Sequence, residues 1–265
     1  MKTLPYRGGC VGMSKQVATE SGHWYTQDGT PAYTVTGKNG KERGTTLRDA
    51  RKENLVPSVT TVLSVLAKPG LERWKMMQVL QAALTLPMID GESLDGYADR
   101  VMSDSREQGE KARDLGTEIH GAIERHFLGL THDHCGKVAA ALKAIPQDQW
   151  WAAEKSFSSP LGFGGKCDLH SDEWVVDFKT KEFDDPATLK TWDEHAMQLA
   201  AYRFGLGVHT ARCAICYVST TSDIAHLIEI NGEELERGWG MFYNALHLWI
   251  ASKKYDPAFS VKEAV

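Results

Sequence analysis

The chain has 265 residues, enough for one large domain or for one domain carrying a substantial extension. Hydrophobic residues at 42% and charged residues at 25% describe an ordinary folded protein and exclude an intrinsically disordered one. A formal net charge of −5 excludes a uniformly basic nucleic-acid binder, yet residues 1–60 hold nine Lys/Arg against five Asp/Glu, which leaves −9 on the rest. The opening stretch MKTLPYRGGCVGMSK lacks the apolar run of a signal peptide, and no apolar run approaches the roughly 20 residues of a membrane span. Five cysteines at irregular spacing argue against a disulfide framework. The expectation is a cytoplasmic protein without membrane contact.

Residues 1–55 are expected to form a basic extension. His23–Thr26 and Ala32–Thr36 flank Gln27-Asp28-Gly29-Thr30-Pro31, which predicts a β-hairpin turning at Asp28-Gly29. Gly37 to Lys52 is polar and charged and reads as a mobile loop. Residues 56–145 are expected to be a helical region. Pro57-Ser58 opens a helix over Val59–Leu66, Pro69-Gly70 breaks it, and Leu71–Leu84 and Leu94–Phe127 follow with few breakers.

Residues 146–265 change character. Glu154–Ser159, Gly165–His170 and Trp174–Lys179 read as three strands joined by short polar turns. Ala187–Phe204 is predicted helical, Ala211–Thr220 and Ile224–Ile230 are a further strand pair, and Glu233–Ser252 closes with a helix. Helix, three strands, helix, two strands, helix is the order of an α/β core with helices packed on a mixed sheet.

The chemistry concentrates in Val175-Val176-Asp177-Phe178-Lys179. On a strand, alternate side chains share a face, so Asp177 and Lys179 point one way while Val176 and Phe178 point into the core. Alone, an Asp-x-Lys is ordinarily a surface ion pair. Asp168 changes the reading. Only eight residues separate it from Asp177, and a hairpin turning at Asp172-Glu173 would set the two directly opposite, with Cβ atoms roughly 5 Å apart. Carboxylates at that spacing repel unless a cation lies between them, and oxygen ligands suit Mg²⁺ or Mn²⁺. A register slip of one residue would undo the arrangement. Further along, Gln198 and Tyr202 are four apart and share a helical face. Upstream, Gly116-Thr117-Glu118-Ile119-His120 lies on a predicted helix, where a lone histidine is usually structural.

In this order, Gly116…His120, Gly164-Gly165-x-x-Asp168, Asp177-Phe178-Lys179 and Gln198…Tyr202 resemble the RecB-like branch of the PD-(D/E)XK nucleases, over about residues 116–202. Pro57-Ser58-Val59-Thr60-Thr61-Val62-Leu63 is similar to a segment of the phage and mitochondrial genome-maintenance exonucleases of that branch. The resemblance implies a restriction-endonuclease-like core preceded by an N-terminal hairpin and a helical extension. It implies Asp168, Asp177, the Phe178 carbonyl and His120 as ligands of Mg²⁺ or Mn²⁺. Lys179 would orient or help deprotonate water and stabilise phosphate charge, and Gln198 and Tyr202 would position the substrate and support the catalytic groups. Glu154 is either a supporting residue or an ordinary surface one. The implied activity is DNA exonuclease in phage or cellular recombination, replication or repair, on single-stranded or free-ended DNA, with a single-strand-binding or annealing protein as partner. A duplex exonuclease, an endonuclease, an RNA-directed nuclease and a non-catalytic DNA-binding module are the competing readings.

Some relatives in that branch bind an iron–sulfur cluster through one upstream cysteine and three near the carboxyl terminus. Here Cys213 and Cys216 have no cysteine after them, and residues three apart on a strand face opposite sides, so core packing is expected. His132-x-His134-Cys135 has zinc-binding residue types but no clear fourth ligand. The basic residues Lys38, Lys41, Arg43, Arg48, Arg51 and Lys52 are expected to meet phosphates, with Trp24, Tyr25 or Trp74 stacking on bases.

Overall fold

The computed structural model describes residues 22–259. Its centre is a five-stranded mixed sheet of β5 (Ala152–Ser159), β6 (Phe163–His170), β7 (Trp174–Lys181), β8 (Arg212–Ser219) and β9 (Ala225–Ile230), in that spatial order. β7 and β8 run parallel and every other neighbour pair is antiparallel. The parallel pair needs a crossover, and α6 (Asp193–Gly205) supplies it.

Helices cover both faces. On one, α2 (Val59–Leu63), α6 and α7 (Gly232–Lys253) bury Val62, Leu199, Phe242 and Trp249 against Val175 and Ile215. On the other, α4 (Leu94–Phe127) and α5 (Cys135–Ala144) bury Ile119, Ile123 and Val138 against Val176, Phe178 and Cys216. β7 is therefore buried on both sides, as parallel strands are, which explains its nearly unbroken apolar run. α3 (Pro69–Thr85) lies against α4, and no helix among the described residues is long and apolar enough to cross a membrane.

Local signals explain the helix starts. Ser93, Ser58 and Asn231 accept from the N–H groups of Gly96, Thr61 and Glu234 at the starts of α4, α2 and α7. α5 was not anticipated as a separate helix; its N-cap residue, His134, adopts φ 56° and offers no side-chain cap.

Three amino-terminal expectations need correction. The predicted hairpin forms only as a short one: Gly29 turns at φ 87°, Tyr25 and Pro31 make an antiparallel bridge and Ala32 N–H reaches Trp24 O at 2.8 Å, but Ala32–Thr36 does not continue the pairing. Instead β1 (Trp24–Tyr25) pairs with β4 (Val56–Pro57), and β2 (Thr34–Thr36) pairs with β3 (Glu42–Gly44). The second correction is that 37–52 is not a mobile loop. It holds β3 and α1 (Leu47–Glu53), which Thr46 and Asp49 start with a capping box and Asn54 ends in a left-handed conformation. The third is that Trp24 and Tyr25 are each only 2% exposed, so neither can stack on a base.

Several basic side chains in this region have partners within the protein. Arg43 pairs with Asp49, Lys52 with Glu53, and Arg51 donates to the Lys253 carbonyl near the end of α7. Lys2, Arg7 and Lys15 lie outside the described residues.

Candidate active site

The turn between β6 and β7 decides the register. Ser171 N–H reaches Trp174 O at 2.8 Å, closing a two-residue turn over Asp172-Glu173, and His170↔Val175 and Leu169↔Val176 follow as opposed pairs. The strand pairing ends at Leu169↔Val176, just before Asp168 and Asp177. There the ladder gives way to a side chain, because Phe178 N–H donates to Asp168 Oδ2 at 2.8 Å.

On its other flank, β6 is distorted at the same point. Pairing with β5 lapses between Ala153↔Leu169 and Lys155↔Cys167, and Glu154 there adopts φ 55°. Cys167 belongs to the α6 side of the sheet while Leu169 belongs to the α4 side, so the alternation breaks at Asp168. Glu154 forms an ion pair with Lys166.

Asp177, 2% exposed, points toward α6 with Lys179. Its Oδ2 lies 2.7 Å from Lys179 Nζ, an ion contact whose angles fall outside hydrogen-bond geometry. Gln198 ties the group together. Its Nε2 donates to Asp177 Oδ1 and to Tyr202 Oη, each at 2.9 Å, while its Oε1 accepts from Lys179 Nζ at 3.2 Å. Both amide donors and the carbonyl are thus committed, which fixes the orientation of the side chain. Tyr202 is buried at the sheet, so its hydroxyl serves Gln198.

The glycines of the motifs make room. A Cβ at Gly116 would lie 2.7 Å from Thr180 Oγ1, and one at Gly165 would meet Phe157 at 2.8 Å and Tyr202 at 3.0 Å. α4 can therefore lie close on β7 and carry His120 toward the pair: Nδ1 is 3.7 Å from Asp168 Oδ2, near but beyond hydrogen-bond range. The His120 ring meets Phe178 edge to face, centroids 6.5 Å apart.

Electrostatics follow from burial and crowding. Burial, then the facing Asp177, push the Asp168 carboxyl up to about 7, against the opposing pull of Lys179 and the Phe178 N–H. Burial pulls Lys179 down, but Asp177 and Asp168 outweigh it and hold the ammonium above its usual value. Burial keeps His120 below the ordinary histidine range and Tyr202 far above the ordinary phenol range.

All seven residues named from the sequence therefore meet at one place: His120, Asp168, Asp177, Phe178, Lys179, Gln198 and Tyr202. Sequence reasoning missed the Phe178 N–H and missed His195. His195 is three residues before Gln198 and so on its helical face, a spacing that could have revealed it. Among the described residues no three His, Cys, Asp or Glu side chains form a ready-made metal cage.

The remaining motifs separate. His126 Nδ1 meets His132 Nε2 at 3.2 Å, whereas His134 turns to Glu118 at 3.4 Å, so the histidines near Cys135 do not converge. Cys213 and Cys216 fall in opposite cores, and burial pushes both thiols up to about 12.

No protein-family model matches the chain, and no curated protein matches it. Among solved structures, an alkaline exonuclease from Laribacter hongkongensis is similar at 15% identity and a TM-score of 0.36, over 75% of this chain and 91% of that one. The crystal structure of SSO0001 is similar at 16% identity and a TM-score of 0.24, over 38% of this chain. The chain spans about half of SSO0001, at 51% of its length.

Proposed function

We propose that this chain is a metal-dependent nuclease that hydrolyses DNA phosphodiester bonds, working as an exonuclease on single-stranded ends. The observation that carries the reading is the Asp168–Asp177 pair, a half-buried and a buried carboxylate on adjacent strands with Lys179 Nζ 2.7 Å from the buried one. Two like charges in a buried site are costly unless compensated. The rise of Asp168 to about 7 is the behaviour of a site short of positive charge. Oxygen donors of this kind fit Mg²⁺ or Mn²⁺, held by Asp168, Asp177, the Phe178 carbonyl and His120. When bound, the cation supplies Lewis-acid polarisation of a phosphoryl oxygen and a more acidic water.

The chain's own groups do the rest. Lys179, kept protonated by the carboxylates, orients water and donates toward the charge that builds on the phosphate. Gln198 holds Asp177 and Lys179 in register, and Tyr202 holds Gln198. His120, kept neutral by burial, offers an imidazole nitrogen to the same centre. DNA as substrate, and free ends as its entry point, come from the likeness of the four motifs to the RecB-like branch. The test is digestion of end-labelled single-stranded, duplex and circular DNA with Mg²⁺. Linear single strands are expected to be degraded and covalently closed circles to resist. Activity in excess chelator would sink the assignment.

A further inference from the structure

Beside the carboxylate pair, the α2–α3 junction and the first turn of α6 enclose a cleft of about 910 Å³. Leu66, Pro69, Leu71, Trp192 and Met197 form its apolar lining, while Lys68, Glu194 and His195 are among its polar groups. The cleft and the candidate active site share α6, which lines the cleft with Glu194, His195 and Met197 and carries Gln198 and Tyr202. His195 precedes Gln198 by three residues, roughly 4.5 Å along the helix axis. The charges of Lys179 and Asp177 both act on it.

Two features are at odds with a purely structural role. Trp192 occupies the N-cap of α6, a position that favours Ser, Thr, Asp or Asn, and its side chain makes no cap hydrogen bond. It is 66% exposed at the cleft. The capping duty passes to His195, whose Nδ1 accepts the Trp192 N–H at 3.2 Å. That bond leaves the neutral ring protonated at Nε2, a fixed donor. Lys68 and Glu194 neutralise each other at 2.6 Å. Asp193, also in the lining, pairs with Arg237, so the cleft offers an apolar surface with His195 as a neutral donor and its charges already matched, rather than a charged anion site.

We propose that this cleft receives one unpaired base of the substrate strand, stacked on Trp192, with His195 Nε2–H donating to that nucleotide. The inference rests on the nuclease reading and deepens it. A paired base is held in its stack and must be extruded before it can enter such a site, at a cost that a single strand does not carry. The cleft is thus a device for selecting single strands beside the hydrolytic centre.

The test uses the full-length protein and short oligothymidylates carrying 2-aminopurine or an abasic nucleotide at successive positions. In EDTA, one 2-aminopurine position is expected to be quenched by the wild type and by Trp192→Phe but not by Trp192→Ala. An abasic nucleotide at that position should weaken wild-type binding about tenfold, within the range for base–aromatic stacking, and cost Trp192→Ala nothing further. With Mg²⁺, Trp192→Ala should raise KM about tenfold on a single strand while kcat changes by less than about twofold. Trp192→Ala with wild-type KM and unchanged quenching overturns the base subsite and leaves the nuclease reading intact. A wild-type protein that cuts no DNA with Mg²⁺ overturns both.

Discussion

Gly116 and Thr180 approach so closely that a β-carbon on the glycine would stand 2.7 Å from Thr180 Oγ1 but 3.8 Å from its Cβ. Among the atoms near Gly116, only that hydroxyl would clash with an added β-carbon, and α4 carries His120. Gly116→Ala should force the helix outward, destabilise by about 1–3 kcal/mol as overpacking does, and lower metal-dependent cleavage. Adding Thr180→Ala should restore most of both losses, because the remaining contact is ordinary van der Waals distance. A double variant no better than Gly116→Ala, in thermal melts and in cleavage rate, would refute this account.

The carboxylate pair predicts a link between pH, metal and stability. A carboxyl raised from 3.8 to about 7 in the folded state stabilises fully below the unfolded value and loses that contribution as pH rises through the folded one. Metal-free protein should lose at least ~1 kcal/mol, about 2–4 °C of Tm, between pH 4 and 7 from this group. Asp168→Asn should flatten that slope and raise the Tm of the chelated protein at pH 8. Mg²⁺ should raise the wild-type Tm at pH 8 but not that of Asp168→Asn. Scanning fluorimetry with and without EDTA reads all three, and parallel pH profiles for the two proteins count against the assignment.

Gln198 makes three hydrogen bonds from a site only 5% exposed. Gln198→Leu should leave Asp177 Oδ1 without a donor and cost about 1–3 kcal/mol, with at least about tenfold lower kcat. Tyr202→Phe removes only an acceptor, so its effect should be smaller in both measurements. The reverse ranking would mean that Tyr202, not Gln198, organises the pair.

His120→Ala should reduce cleavage by at least about tenfold at limiting metal, as perturbation of a metal's surroundings commonly does. Its neighbourhood of Asp168 at 3.7 Å is the motive. Wild-type kinetics across a Mg²⁺ and Mn²⁺ titration would return His120 to a packing role against Phe178.

At the amino-terminal end, Arg51 and Arg43 have partners within the protein, so a test of phosphate contacts by charge reversal belongs at other basic residues. Arg51→Glu should lower stability by removing its bond to the Lys253 carbonyl, and Asp49→Asn by removing the charge that Arg43 pairs with at the start of α1. Arg43, then Thr46, hold Asp49 well below the usual carboxylate range, so its contribution is present at neutral pH and fades in acid. Reversal at exposed Lys38 and Lys41 should spare stability and flatten the salt dependence of DNA binding. DNA affinity unchanged across salt in that variant would remove the expected phosphate contacts of Lys38 and Lys41.

What the sequence determined by itself is local. The apolar run of 174–178 and a polar two-residue turn at Asp172-Glu173 suggest that Asp168 and Asp177 approach, while the register that the sequence left open is fixed by the turn and by Leu169↔Val176. The succession of strands and helices in 152–253 was legible because most carry their own period and stop signals, although the helix expected from Ala187 begins only at Asp193. The amino-terminal pairings were only partly legible. Trp24-Tyr25 bridges Pro31 on one edge as the local sequence suggests, but its strand partner on the other edge is Val56-Pro57, a pairing made by burial against β6 and Trp249 that no short window contains. The approach of His120 to a carboxylate 48 residues away, the reversal of side-chain alternation at Asp168 opposite Glu154, and the cleft between Leu66–Leu71 and Trp192–His195 were likewise decided only by tertiary structure. Each depends on two distant segments packing within a few ångströms, and close packing is a property of the pair of surfaces, not of either sequence alone.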